Sequence, residues 1–445
     1  MIFTGKQIRF AFVTVILSLA IAVVLAEVCL GIKESHTRKA VLDYADTKRF
    51  QPLGWGGFLK ENLNIYVTDG LGGKVRWTTN AQGFRSDREF SRTPAPGVLR
   101  ILALGDSFNA GFRVGQDETL THLQDEWINR KYGQAEILVA ETEDPSIALY
   151  YLDKFGLQLK PQIVILGITL GNDIVEVYQG LDQHGRYILA TENGTVHIEK
   201  NPNSMIGFDQ LVGYKIPPDY LKSETPTGKF IRRAGRWLTR LHLLRPFYQQ
   251  HEAITSWGDR DHLSLFDPNN GFGVFADPLP PKIGEAYQRL FRTLEAFALI
   301  CRQHHILCAV QIFPQRYQVQ PEDWARAVKE YGLKASRFNL MGPNQKIAAF
   351  CREHAIICID PTAAMAKWYS EIGKPLYLPR GDMHWNKEGH HAFFECSLPA
   401  FANLVQEGFR EVQANHAKEV LRDKISPGAL GQQPGTLTSG APPHN

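Results

Sequence analysis

Residues 101–108 read ILALGDSF, an apolar run that leads directly into a glycine, an aspartate and a serine. The run predicts a buried strand, and Gly105 can adopt backbone angles of a tight turn that are closed to other residues. Such a turn presents the Ser107 hydroxyl at the mouth of the sheet, with its own N–H as a ready oxyanion donor. The motif alone is more typical of a simple strand-to-loop turn, so its meaning depends on the rest of the chain.

Two later segments supply the groups that a serine nucleophile needs. Residues 381–390 read GDMHWNKEGH, which puts Asp382 two residues before His384. A serine hydroxyl needs an imidazole to take its proton, and the imidazole needs a carboxylate to fix its tautomer. Asn172 follows the apolar run 163–168, which predicts another central strand, and its amide is a candidate oxyanion donor.

The order of these motifs, Gly-Asp-Ser early, Gly-Asn-Asp in the middle and Asp-x-His near the end, resembles the SGNH or GDSL hydrolase family. The resemblance covers about residues 98–405. It implies an α/β fold, a three-layer α/β/α sandwich with a mostly parallel, flavodoxin-like sheet. It also implies that Ser107 is both nucleophile and oxyanion donor and that Asn172 is a second donor. Asp382 is then the carboxylate that orients the base, His384.

The sequence departs from the family pattern at two points. The family usually contributes a glycine N–H to the oxyanion hole from its second block. Here the corresponding loop, 139–146, reads VAETEDPS without a glycine, so the N–H of Glu143 is the candidate substitute. Many relatives also place the aspartate three residues before the histidine. The Asp-x-His-Trp form of this chain is locally similar to alginate O-acetylation proteins, which place it before their serine.

Two side chains near the proposed base leave alternatives open. Trp385 is a candidate substrate-binding residue that stacks on a sugar ring, although packing that fixes the loop is the commoner use of such a residue. Asp360 follows the apolar run 356–359 and is the alternative carboxylate if Asp382 points elsewhere.

Apolar runs and helical patterns alternate along the domain, which predicts a parallel sheet. Strands are expected near 100–104, 136–140, 162–168, 306–313 and 356–359, and helices near 117–131, 146–158, 282–304 and 343–354, with a last helix after Asn386. Residues 41–97 are interpreted as an extension that packs on the core, and residues 178–281 as a large insert beside the site. Residues 406–424 are expected to end the last helix, and residues 425–445 to form a disordered tail.

The first 40 residues have a different character. Residues 10–32 are almost continuously apolar, and Lys6 and Arg9 precede them. About 20 residues span a bilayer core, so the segment is interpreted as an uncleaved transmembrane helix, with a cleaved signal peptide as the alternative. The resemblance favours a single-pass protein of the inner, cytoplasmic membrane with a periplasmic or otherwise extracytoplasmic catalytic domain.

Composition limits the partners of the chain. Its 445 residues carry 49 basic and 46 acidic side chains, a formal net charge of +3, which gives no reason to expect nucleic acid. The cysteines lack the paired spacing typical of metal ligands, so neither a metal nor another cofactor is expected.

Together these features predict a serine-dependent ester hydrolase or O-acyltransferase that acts on acyl esters, chiefly acetyl esters, of cell-envelope carbohydrate. The acceptor, water or a sugar hydroxyl, depends on positioning that motifs do not encode. The expected partners are an acylated carbohydrate or other ester and the membrane, and the sequence names no protein partner. The alternatives are a non-catalytic cell-envelope binding or assembly protein with the same fold, and a lipase-like or thioesterase-like esterase of lipids.

Overall fold

The computed structural model describes residues 59–71, 73–142, 144–177, 187–202, 272–379 and 382–425, with isolated helical positions between residues 14 and 25. Within these residues, no helix combines the length and the apolar character needed to cross a bilayer. Most of the predicted membrane anchor, most of the predicted insert and almost all of the predicted tail lie outside the described residues.

The strands form one central sheet and two hairpins. They are β1 Asn64–Thr68, β2 Lys74–Thr78, β3 Leu99–Gly105, β4 Ala135–Glu141, β5 Ile163–Thr169, β6 Tyr187–Glu192, β7 Thr195–Lys200, β8 Leu307–Phe313 and β9 Ile357–Ile359. The central sheet has five strands in the order β4-β3-β5-β8-β9, and every neighbouring pair is parallel. This confirms the predicted parallel sheet. The order is flavodoxin-like, and the direction of the crossovers reverses between β3 and β5.

Helices cover both faces of this sheet. They are α1 Leu120–Tyr132, α2 Pro145–Lys154, α3 Asp173–Glu176, α4 Pro281–Gln303, α5 Arg316–Val319, α6 Pro321–Tyr331, α7 Gly342–Glu353, α8 Thr362–Ile372 and α9 Lys387–Ile425. The apolar sides of α2, α4 and α7 share a core with one face, and those of α1 and α9 share a core with the other. The strands and helices expected in the domain all have counterparts within a few residues.

Strand β3 shows how the sequence specifies two cores. All seven of its residues are buried. Leu102 and Leu104 belong to the core beneath α2 and α4, whereas Ile101 and Ala103 belong to the core beneath α1 and α9. Because successive side chains of a strand point to opposite faces, a continuous apolar run is stable only where both faces are covered. Ser107 therefore follows a central strand.

The two hairpins were not expected from the sequence. Strands β1 and β2 pair antiparallel inside the predicted extension, and β6 and β7 pair antiparallel inside the predicted insert. The second hairpin turns at Asn193 and Gly194, whose φ angles of 50° and 79° are those of a tight hairpin turn. An Asn-Gly pair between short alternating runs is a hairpin signal, so this element was predictable.

Candidate active site

The candidate site lies at the carboxyl edge of the parallel sheet. Ser107 comes two residues after β3 ends, and Asn172 comes three residues after β5 ends. These strands are neighbours at the point where the crossovers change direction, which is where open α/β sheets form a crevice. Gly105 lets the end of β3 pass close to Asn109 and to Gly167 on β5. A Cβ atom at this position would lie 3.0 Å from Asn109 Cβ and 3.4 Å from Gly167 Cα.

Three side chains predicted from two distant parts of the sequence meet in a relay. Ser107 Oγ lies 2.8 Å from His384 Nε2. On the other side of the ring, His384 Nδ1 lies 2.7 Å from Asp382 Oδ1. The backbone N–H of His384 donates to the same carboxylate oxygen at 3.0 Å. With Nδ1 protonated towards Asp382, Nε2 is left as the acceptor for the serine proton.

Aromatic packing holds the imidazole in this orientation. The Phe108 ring stacks on His384 at 5.3 Å between centroids, and the Phe112 ring meets it edge-on at 5.0 Å. Both phenylalanines belong to the loop that carries Ser107, so this loop fixes His384 as well as Ser107. The side chain of His384 keeps only 12% of its surface exposed.

Trp385 differs from the sequence expectation. Its indole is fully buried and packs against Phe108, Phe313 and Phe393 at centroid distances of 4.9, 5.3 and 4.8 Å. No face of the ring is open to a sugar, so the interpretation as a substrate-stacking residue is replaced by packing that fixes the loop of His384. Asp360 also lies elsewhere, where it accepts from Asn344 and from the backbone of Thr362.

Asp382 is buried and ionised. Burial by itself raises the pKa of its carboxyl, but the neighbouring His384 and the Arg113 guanidinium more than offset this, and its pKa lies below the usual value. The backbone carbonyl of Asp382 also accepts from Arg316 Nη1 at 3.0 Å. A fixed, charged carboxylate is what a histidine base requires in order to stabilise its protonated form.

The oxyanion donors are only partly defined. No hydrogen bond within the described part of the chain occupies the Ser107 N–H, which is therefore available. Glu143, the predicted substitute for the missing glycine, lies outside the described residues. The N–H of Thr142 beside it is already used, because it donates to Gly105 O at 2.7 Å.

Asn172 is at the site, but its amide is engaged. Asn172 Nδ2 lies 3.2 Å from Glu176 Oε2 and 3.5 Å from Asp106 Oδ2. To donate to an oxyanion, the amide must exchange one of these contacts. Its role as a second oxyanion donor stays a prediction.

A group of buried carboxylates lies close to Ser107. Burial raises the pKa of Asp106, whose Oδ1 accepts from the Phe108 N–H at 2.9 Å. Burial, and then the like charges of Asp106 and Glu176, raise the pKa of Asp173 well above its ordinary value. Asp173 Oδ2 accepts from the Thr169 N–H at 2.7 Å, so the group is also a structural acceptor at the end of β5.

This arrangement predicts that Asp173→Asn stabilises the protein more at alkaline than at acidic pH. A carboxyl with a raised folded pKa stabilises the fold below its unfolded pKa, and this contribution is lost as pH rises through the folded pKa. The asparagine keeps an acceptor for Thr169 but cannot ionise. We expect the gain in melting temperature over wild type to be larger at pH 8 than at pH 4, with the exposed Asp87→Asn as the control. An equal change at both pH values would contradict the pKa shift.

Two arginines at the site were not singled out for a role in the sequence. Arg85 is buried, stacks on Trp77 at 3.6 Å, and donates to the carbonyls of Ala110 and Gly111, and to that of Val114 at 2.6 Å. It therefore braces the loop after Ser107 from within the extension. Arg113 lies 3.2 Å from Asp382 Oδ2 through its Nε. Sequence offers no signal for Arg113, which is a lone arginine in a loop.

A polar groove of about 620 Å³ lies beside this loop, between the β1–β2 hairpin and residues 115–117. Its lining consists mainly of amide, hydroxyl and carboxylate side chains, among them Asn62, Asn64, Thr78, Asp87 and Gln116. Gln116 Oε1 accepts from Arg85 Nε at 3.1 Å, and this contact connects the groove to the loop of the nucleophile.

Comparison with known proteins gives no family assignment. No family model matches the chain, and no curated protein is significantly similar to it. Among solved structures, the crystal structure of TesA is 10% identical with a TM-score of 0.33, covering 68% of this chain and 99% of that one. LAE5, an alpha/beta hydrolase enzyme from the metagenome of Lake Arreo, Spain, is 11% identical with a TM-score of 0.32, covering 70% and 99%. Likenesses at these TM-scores carry no argument about function.

Proposed function

We propose that this chain is a serine-dependent ester hydrolase or O-acyltransferase of the SGNH or GDSL type that acts on acyl esters of carbohydrate. The observation that carries the proposal is the relay of Ser107, His384 and Asp382, with contacts of 2.8 and 2.7 Å. These residues come from both ends of the domain, yet the fold brings them together in the order nucleophile, base and carboxylate. Such an arrangement is the general recognition feature of nucleophilic serine catalysis.

The geometry supports a two-step mechanism. Ser107 Oγ attacks the acyl carbonyl and its proton passes to His384 Nε2, while the Ser107 N–H donates to the developing oxyanion. Collapse of the tetrahedral intermediate breaks the ester bond, and the leaving alcohol takes the proton from His384. Water or a second hydroxyl then attacks the acyl-enzyme, again giving its proton to His384. Collapse of the second tetrahedral intermediate breaks the bond to Ser107 Oγ, which takes the proton back from His384 Nε2 as the acyl product leaves. No metal or redox partner is needed for atoms and charges to balance.

The polar groove supports a carbohydrate chain that extends beyond the relay, since its lining includes none of Ser107, Asp382 and His384. Amide, hydroxyl and carboxylate side chains are suitable partners for sugar hydroxyls, and they line the groove beside the nucleophile loop. On the outer face of the adjoining hairpin, Tyr66 pairs in register with Arg76 and keeps 60% of its surface exposed. An exposed aromatic ring among polar neighbours is suited to stack on a sugar. The apolar segment 10–32 supports a membrane-tethered enzyme. The resemblance to the SGNH or GDSL family favours a catalytic domain outside the cytoplasm.

A fluorophosphonate probe tests the enzyme class directly. We expect the wild-type protein to be labelled and the folded Ser107→Ala variant not to be labelled, because only an activated serine reacts. Absence of labelling in well-folded wild type would favour the non-catalytic binding protein instead.

A substrate comparison tests the finer part of the proposal. We expect acetate release from O-acetylated xylan, hydrolysis of p-nitrophenyl acetate, and little hydrolysis of p-nitrophenyl palmitate. Faster hydrolysis of the palmitate ester than of the acetate ester would favour the lipid esterase.

A further inference from the structure

Arg113 forms a buried ion pair with Asp382, the carboxylate of the relay. Its Nε lies 3.2 Å from Asp382 Oδ2, while the other oxygen of the same carboxylate, Oδ1, serves His384. The two side chains of this ion pair keep only 3% and 7% of their surface exposed. A pair so far from water is weakly screened, so the arginine charge acts strongly on its neighbours.

The backbone of Arg113 is held in an unusual conformation. Its φ angle is 71°, in the left-handed region that non-glycine residues rarely adopt. Such a conformation persists when the surrounding contacts determine it. Here the guanidinium also lies 5.1 Å from the centroid of the Phe112 ring, which in turn contacts His384. In this conformation the Arg113 guanidinium lies beside both Asp382 and the Phe112 ring.

The hairpin of the extension covers Arg113 from outside. Gly70, in the turn between β1 and β2, has a φ angle of 73° and lies against the guanidinium. A Cβ atom at this glycine would be 3.1 Å from Arg113 Nη1 and 3.3 Å from Leu378 Cδ1. The backbone angle favours glycine, and a side chain here would press on the guanidinium and on Leu378. The extension thus seals the ion pair from solvent.

We propose that Arg113 is a positioning residue for acyl transfer, which holds Asp382 against His384 and offsets the carboxylate charge that acts on the imidazole ring. The proposal rests on the proposed esterase function. The guanidinium neutralises the charge of Asp382, and without it the carboxylate would favour the protonated ring more strongly. Arg113 contacts no reacting atom in this arrangement and acts through Asp382.

Other charged groups around the relay are accounted for. Asp106 interacts electrostatically with His384 from beneath the nucleophile. His390, on α9, has its pKa lowered to about 3 by burial and by the nearby Arg85 and His384, so it is neutral at assay pH. Arg316 is paired with Asp323 at 2.8 Å and reaches only the backbone of Asp382. All of these groups remain when Arg113 is replaced.

The test is the pH profile of kcat/KM for p-nitrophenyl acetate in Arg113→Met, Arg113→Lys and a control, Arg88→Met, whose arginine pairs with Asp125 near the surface. We expect Arg113→Met to move the acidic limb to higher pH by about 0.5–1 unit, which is roughly a three- to tenfold change in the protonation equilibrium. The plateau should also fall, because Asp382 loses the ion pair that holds it in place. Arg113→Lys, which keeps the charge, should leave the limb near its wild-type position. The control should leave both limb and plateau unchanged.

The outcomes distinguish failure of the proposed role of Arg113 from failure of the proposed esterase function. An acidic limb at the wild-type position in Arg113→Met, with only a lower melting temperature, would reduce Arg113 to a structural brace and overturn the inference. If Arg113→Met does not fold, a shifted limb in Arg113→Lys overturns it as well, because the charge is still present. Wild-type protein without esterase activity or fluorophosphonate labelling would instead refute the proposed function itself.

Discussion

Ser107→Ala is expected to lower kcat/KM for p-nitrophenyl acetate by at least about 10³-fold, to the level of whatever catalysis binding alone provides. The reason is the 2.8 Å contact between Ser107 Oγ and His384 Nε2, which makes the hydroxyl the only group aligned to give its proton to the base in the described site. Without it no acyl-enzyme forms. Burst kinetics with p-nitrophenyl acetate should therefore disappear together with steady-state turnover.

A matched serine variant controls for non-specific effects. The Ser370 hydroxyl lies at the surface of α8 and donates to Lys367 O at 2.7 Å, so Ser370→Ala removes a hydroxyl without touching the site. We expect it to retain wild-type activity and stability. If Ser107→Ala keeps more than a tenth of wild-type kcat/KM, water is being activated by another route and the covalent mechanism is wrong.

Much of this fold was predictable because its signals are local. A strand such as β3, apolar at every position, must be covered on both faces, and alternation with helical segments then requires a parallel sheet. The position of the candidate site was predictable for a related reason. Residues at the carboxyl ends of neighbouring parallel strands converge, so Ser107 after β3 and Asn172 after β5 had to lie near each other.

The rest depends on contacts between distant segments. The burial of Trp385 results from Phe313 at the end of β8 and Phe393 on α9, and no pattern around the tryptophan itself shows that they surround it. In the same way, Arg113 acquires its role from a carboxylate far along the chain and from the hairpin turn at Gly70. The engagement of Asn172 by Glu176 is set by the short helix α3, whose side-chain directions the motif does not specify.

Asp382→Asn is the second change with a large expected effect. We expect kcat for p-nitrophenyl acetate to fall by about 10⁴-fold, because an amide at this position favours the imidazole tautomer that carries its proton on Nε2, where it cannot accept from Ser107. Asp382 Oδ1 accepts from His384 Nδ1 at 2.7 Å and from the backbone N–H of His384 at 3.0 Å. The substitution therefore disturbs both the tautomer and the orientation of the His384 ring.

Stability must be separated from chemistry in this variant. The lowered pKa of Asp382 means that its ionised form stabilises the fold above its unfolded pKa, and that this contribution is lost as pH falls through the folded value. Asp382→Asn removes the contribution and also the carboxylate that faces Arg113, so the melting temperature at pH 7 should fall. The double variant Asp382→Asn/Arg113→Met should recover part of that melting temperature, because the buried cation is gone as well.

Activity in the double variant decides between a catalytic and a structural role for Asp382. If the carboxylate sets the tautomer, the double variant regains stability but stays about 10⁴-fold slow. Asp360→Asn is the matched control, because the Asp360 carboxylate accepts from Asn344 and from the backbone of Thr362 and lies outside the relay. Its loss should lower the melting temperature and leave kcat within about twofold of wild type. Recovery of activity along with stability in the double variant would mean that His384 finds its working tautomer without Asp382. The carboxylate would then serve the fold, and the catalytic unit would consist of Ser107 and His384 alone.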